Sequence, residues 1–175
     1  MRHLIVRLLL STAFAVVLAA VMFERPLSAQ ASAADPSFGC MASGTKVRNT
    51  YISHPDPALL KRAVQIFENN TPDAQYPEGT ILQLVPGEAM VKRSRSAFPN
   101  TSGWEFFLLD VTPQGTTIKM RGEAAGNRAG TCLGCHSRAT NFDYVCEKTH
   151  GCAPVPLTDE QIARIQASDP RCTPR

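Results

Sequence analysis

The chain has 175 residues, with 18 Lys and Arg against 15 Asp and Glu. Three of the basic residues, Arg2, Arg7 and Arg25, and one acid, Glu24, lie within the first 31 residues, so the remainder is close to neutral. No face is loaded with Lys or Arg, which argues against nucleic acid or an anionic membrane surface as a partner.

Arg2, His3 and Arg7 introduce an almost unbroken apolar run over residues 8–23, and Ala29-Gln30-Ala31 and Ala31-Ser32-Ala33 each offer a small-x-small cleavage pattern. This is the pattern of a secretory signal peptide over residues 1–31, cleaved near residues 31–33. An uncleaved anchor is the alternative, but the run is short for a span and is followed by Glu24, Arg25 and Pro26. Residues 34–175 are then a single periplasmic or secreted domain of about 140 residues, enough for one core and too few for two.

Residues 34–55 read as irregular, because Gly39, Gly44 and the His54-Pro55 step break any period. Residues 56–70 are the best helix. Asp56 caps free N–H groups, Pro57 suits the first position, and Leu59, Leu60, Ala63, Val64 and Phe67 make one stripe before Asn69, Asn70, Thr71 and Pro72 end it. From Pro77 the period shortens. Residues 79–85 and 88–92 read as strands joined at Pro86-Gly87, and Lys92 to Arg95 as a solvated turn. Residues 104–111 and 116–121 form a hairpin around the turn at 112–115. In the first of these Trp104, Phe106 and Leu108 share one face and Phe107 and Leu109 the other, so the strand should be covered on both sides. After residue 136 the chain is loop-like until Thr158. There Thr158 and Gln161 form a capping box for a short helix with Ile162 and Ile165 inward, which Pro170 stops.

All six cysteines, Cys40, Cys132, Cys135, Cys146, Cys152 and Cys172, follow residue 31, and an oxidising compartment makes pairing the default. With Cys132 and Cys135 otherwise engaged, four remain and three connectivities are open. The favoured one joins Cys146 to Cys152 across a tight segment, and Cys40 to Cys172 near the two ends of the mature chain.

The segment Cys132-Leu133-Gly134-Cys135-His136 carries the chemistry. Cys-x-x-Cys-His in an exported chain is the attachment pattern of a c-type haem: both sulfurs form thioethers with the porphyrin and the adjacent imidazole ligates iron. Cys132, Cys135 and His136 are therefore assigned to one covalent haem c per chain, with His136 on the iron. A structural zinc site using Cys132, Cys135 and two of Cys146, His150 and Cys152 is the competing reading. A thioredoxin-like pair is disfavoured, because no early βαβ unit precedes the motif. The expected fold is α+β, mainly antiparallel β-sheet with one long helix and a C-terminal haem-attachment segment.

A C-terminal motif after a strand-rich sequence resembles the cytochrome P-460 family, which includes the cytochromes c-prime-beta. The resembling residues are Tyr76-Pro77-Glu78-Gly79-Thr80, Gly103-Trp104-Glu105-Phe106-Phe107, the haem motif, and Asp143-Tyr144-Val145. The resemblance implies an antiparallel sheet with few helices, often a homodimer, and a five-coordinate haem open on its distal side. It also implies hydroxylamine oxidation or nitric oxide binding. The enzymes of that family join a lysine to the porphyrin; Lys61 and Lys92 are the positions considered, and neither falls in a matching context.

Met90, Met120, His54 and His150 are the candidates for a sixth iron ligand. Their plainer roles are core for the two methionines and surface for the two histidines. Phe106 and Phe107 could wall the haem or simply pack, and Glu88, Glu105 and Arg121 could relay protons or be solvated. The expected function is an exported monohaem cytochrome that binds or oxidises hydroxylamine or nitric oxide and passes electrons to a partner cytochrome. The alternatives are a six-coordinate electron carrier without its own substrate, and a zinc-stabilised binding domain.

Overall fold

A computed structural model describes residues 35–128 and 130–172, so the signal peptide expected over residues 1–31 lies outside the described residues. The sheet is a meander of six antiparallel strands in sequence order: β1 (Thr45–Val47), β2 (Thr50–Ser53), β3 (Ile81–Gln83), β4 (Glu88–Lys92), β5 (Trp104–Thr112) and β6 (Gly115–Arg121). Two-residue strands β7 (Gly126–Asn127) and β8 (Gly130–Thr131) pair separately, just before the cysteine motif. Among the described residues three α-helices accompany them: α1 (Pro57–Asn69), α2 (Cys132–His136) and α3 (Asp159–Ala167).

The architecture is α+β and mainly antiparallel, but the helical part is three short helices and not one long one. The motif supplies α2 and the capping box at Thr158 supplies α3. The segment expected to be irregular also holds β1 and β2. Strands of three and four residues show too little alternation to be recognised, and Arg48, at φ 52°, turns the chain between them. β2 then pairs with β3 across α1, a long-range partnership that no local period announces.

The Asp56 carboxylate accepts from Ala58 N at 2.7 Å and Leu59 N at 3.1 Å, and Asn70 closes α1 in the left-handed conformation at φ 46°. Ala63 and Phe67 are buried and Leu60 and Val64 half-buried, but Leu59 is exposed, so the apolar stripe is narrower than expected.

β5 is an interior strand that separates two apolar clusters. On one face Trp104 and Phe106 join Ile52, Leu82, Met90, Ala63 and Phe67, with Cys132, Leu133 and Tyr144 packed against them. On the other face Phe107 and Leu109 join Ala89, Val91 and Phe38. The first cluster is where the cysteine motif meets the sheet.

Both favoured disulfides form, Cys40–Cys172 and Cys146–Cys152. The first has a sequence separation of 132 residues, worth on the order of 5 kcal/mol in the chain-entropy model. Beside it the buried Asp169 carboxylate accepts from Met41 N at 3.1 Å and pairs with Arg171 at 2.8 Å, so the two ends of the described chain are held by covalent and ionic contacts together.

Candidate functional site

The motif is built from the backbone outward. Gly126 pairs with Thr131 so closely that a Cβ on the glycine would lie 2.8 Å from Thr131 Cα and 2.6 Å from Gly130 O. Thr131 then caps α2, its Oγ1 accepting from Gly134 N at 3.0 Å, and Cys132 N donates to Ala125 O at 2.9 Å. On the resulting single turn Cys132, Cys135 and His136 stand at spacings of three and four, which puts them on one side of the helix.

Cys132 and Cys135 are the free cysteines in a chain whose other four are bonded. Burial pushes the Cys132 thiol up to about 11, and the charge of Glu88 adds to the effect. His136 Nδ1 lies 2.7 Å from the carbonyl of Tyr144. A carbonyl only accepts, so Nδ1 holds the proton and Nε2 is left as the nitrogen available to a metal, the usual way a backbone carbonyl fixes the tautomer of a ligating histidine. Burial lowers the His136 pKa and the bond to Tyr144 opposes it, so the neutral ring is favoured. The ring packs on Phe106, with centroids 5.0 Å apart.

The Tyr144 carbonyl is itself fixed. Asp143 and Tyr144 both take left-handed backbone, at φ 51° and 62°, and Tyr144 N donates to Ala139 O at 2.9 Å. The Asp143 carboxylate accepts from Lys92 Nζ at 2.7 and 2.5 Å and from Tyr76 N at 3.0 Å. Its carbonyl accepts from Trp104 Nε1 at 2.6 Å. Lys92 also donates to Ser102 O at 2.8 Å and lies 5.1 Å from the centre of the Trp104 ring. Lys92 is thus buried and not part of a solvated turn. Burial lowers its pKa, and the Asp143 carboxylate works against that.

Two free thiols and a histidine with its Nε2 open form the donor set that a c-type haem requires, and the residues present fit that group. A model of the cytochrome P460 family matches residues 33–147 of this chain, well over half of it. The chain belongs to the cytochrome P460 family. Comparison with curated proteins and with solved structures finds no match. Membership of the P460 family implies a haem cofactor, and the match contains the motif, Lys92, Trp104 and Asp143 but stops before Cys152, α3 and Cys172.

Sequence reasoning missed the Lys92–Asp143 pair and the Trp104 anchor. The signal was present: Tyr76, Trp104, Asp143 and Tyr144 all lie in the segments that carry the P460 resemblance, so those segments mark the support of His136.

The other candidates divide by face. Glu88, Leu108 and Met120 form one row across β4, β5 and β6, on the same face as Met90, Phe106 and the motif. Met90 is core as expected, but Met120 is 39% exposed and is corrected from core to surface. Met120 stands on β6, the edge strand of the sheet, where its side chain is partly open to solvent. Glu105 and Arg121 lie on the opposite face with Phe107, where Glu105 accepts from Arg121 at 2.6 Å and Arg93 at 3.1 Å. Glu105 is thus buried between its two arginines and not solvated, Arg121 is exposed as expected, and neither shares the motif's face.

His54 is half-buried at the start of α1, accepting from Asp56 N at 2.9 Å and bonding Glu78 O at 2.8 Å. His150, expected at the surface, is buried: its ring stacks on Phe142 at 3.6 Å and its Nδ1 donates to Val145 O at 2.6 Å. The Cys146–Cys152 bond removes two thiolates from the zinc alternative. Lys61 is exposed on α1, and Lys92 is held by Asp143.

Proposed function

We propose that this P460 chain is an exported monohaem c-type cytochrome. In it Cys132 and Cys135 would form the two thioethers and His136 Nε2 would hold the iron, leaving a position for a small nitrogen species, hydroxylamine or nitric oxide. The observation that carries the reading is the coincidence on one helical turn of two unpaired thiols with a histidine whose Nδ1 is committed to Tyr144. Haem iron supplies a one-electron couple and a binding position for a small ligand. The chain's own contribution is orientation. Tyr144 fixes the imidazole plane, Phe106 backs it, and the Lys92–Asp143 pair holds Tyr144 in place.

The row Glu88, Leu108 and Met120 is a partly apolar strip on the motif's face, half-buried except at Met120, and its one carboxylate, Glu88, accepts from Asn127 Nδ2 at 3.0 Å and could exchange a proton there. Electrons pass onward to a partner cytochrome, and the protein works in the periplasm or outside the cell. The buried amine of Lys92 is taken by Asp143, which speaks against a bond from this lysine to the porphyrin.

The exposed Met120 thioether on the motif's face supports a second reading, in which it closes the iron and the protein only carries electrons. The deciding experiment is the ferrous absorption spectrum of protein made in a host that attaches c-type haem, with and without nitric oxide. A spectrum that shifts on adding the ligand supports the binding reading. An unresponsive six-coordinate spectrum, relieved by Met120→Ala, supports the carrier. His136→Ala should abolish the native spectrum, and an unchanged spectrum would overturn the assignment of the iron ligand.

A further inference from the structure

Three sulfurs meet beside the motif. The Sγ atoms of Cys135, Cys146 and Cys152 all lie within 4.8 Å of one another, the last two joined as a disulfide and the first a half-buried thiol. The disulfide closes a short loop with a sequence separation of six, and its second half, Cys152, lies beyond the P460 match. The loop is not fully satisfied in this pairing, because the buried His150 within it leaves Nε2 without a hydrogen-bond partner among the described residues. A thiol this close to a disulfide has the partner that exchange requires, and the outcome depends on access and on which sulfur is attacked.

We propose that before haem attachment Cys135 exchanges with the Cys146–Cys152 disulfide, giving the chain an internal resting place for one attachment thiol. The Cys135 sulfur releases its proton and bonds to the sulfur of Cys146 or Cys152. The bond between those two breaks, and the displaced sulfur takes up a proton. One disulfide and one thiol are present before and after, so no oxidant or reductant is consumed. While Cys135 is engaged in this way it cannot form a disulfide with Cys132. Once Cys135 is a thioether it has no sulfhydryl left to exchange, and the Cys146–Cys152 pairing is permanent. The inference rests on the reading of Cys135 as an attachment residue.

The test uses the full chain made in a host without the haem attachment system and carrying Cys132→Ser, which removes the competing Cys132–Cys135 disulfide. Free thiols are trapped by acid quench and alkylation, and the peptides are mapped by mass spectrometry. The expected result is cross-linked peptides joining Cys135 to Cys146 or Cys152, with the alkyl mark on the sulfur left over. Alkylation confined to Cys135, with the Cys146–Cys152 peptide intact, would overturn the proposal. So would alkylated Cys146 or Cys152 persisting when Cys135→Ser is added. If the Cys132→Ser chain does not fold, Cys132→Ala, which removes the same sulfur without adding a hydroxyl, takes its place and the same map decides between these results. Haem attachment is read separately, by staining unsubstituted protein made with the attachment system. Failure there counts against the haem reading and leaves the peptide map to judge the exchange.

Discussion

Lys92 and Asp143 lie 51 residues apart in sequence and meet in a buried salt bridge one residue away from the carbonyl that orients His136. The side chains are 5% and 0% exposed, so neither charge can turn to water when the other is removed. Lys92→Met should lower the unfolding free energy by about 3–5 kcal/mol, the cost of an unpaired buried carboxylate. Urea unfolding measures it. A loss under about 1 kcal/mol would show that Asp143 finds another partner at little cost.

The Cys132 thiol, raised to about 11 by burial and by Glu88, should react slowly with an alkylating reagent in protein without haem. Glu88→Gln removes the negative charge that disfavours the thiolate and should raise the Cys132 alkylation rate at pH 9 by about two- to fivefold. Burial is the larger cause and is untouched, so the thiol stays above its ordinary range. Rates followed peptide by peptide would check this, and no change would separate Glu88 from the site.

Asp169 is held below the usual carboxylate range: burial alone would raise it, but the Arg171 side chain and the backbone N–H groups of Met41 and Arg171 outweigh burial. A carboxylate whose folded pKa is depressed contributes stability that is complete above its unfolded value near about 3.9 and is lost as pH falls through the folded value. Asp169→Asn should therefore cost about 3–5 kcal/mol at pH 7, where it leaves buried Arg171 unpaired. The variant should also lose less stability than the parent between neutral pH and about pH 3. Urea midpoints at the two pH values test both statements.

Gly103 stands at φ 96°, and a Cβ there would lie 2.5 Å from Arg93 O. Gly103→Ala should destabilise the fold by about 1–3 kcal/mol, combining left-handed backbone with a clash against main chain that cannot step aside. Because Trp104 follows it and anchors Asp143, the melting temperature should fall, and the fraction of chain that acquires haem should fall with it.

The parts of this fold legible in the sequence are those that local chemistry decides. Asp56 and Pro57 mark the start of α1, Thr158 and Gln161 that of α3, and the alternation from Trp104 to Leu109 describes an interior strand. Periodicity shows which face a side chain takes but not what covers that face, which is why Met120 and Leu59 were misjudged. β1 and β2 were invisible for their shortness. His150 was placed at the surface because a cysteine-bounded loop reads as exposed, whereas Phe142 folds over it. The motif named Cys132, Cys135 and His136, but the support of His136 joins residues from four distant segments and has no periodic signature. Glu88 alone of the three proton-relay candidates reaches the motif's face, a distinction that only the β4 and β5 register makes.

Every strand from β1 to β6 pairs with its neighbour in sequence, so the ladder itself uses no residue from 126–172. Four of the five pairings join strands close in sequence, β2–β3 across α1 being the exception, and such local pairing favours early assembly. The motif segment reaches this platform through the packing of Cys132, Leu133 and Tyr144 and through Asp143, to which Tyr76, Lys92 and Trp104 all donate. The order of events that follows is a platform first and a latch second. Until Asp143 engages, the turn bearing Cys132 and Cys135 is tethered to the sheet without being clamped on it, and its two sulfurs stay within reach of any agent that would modify them.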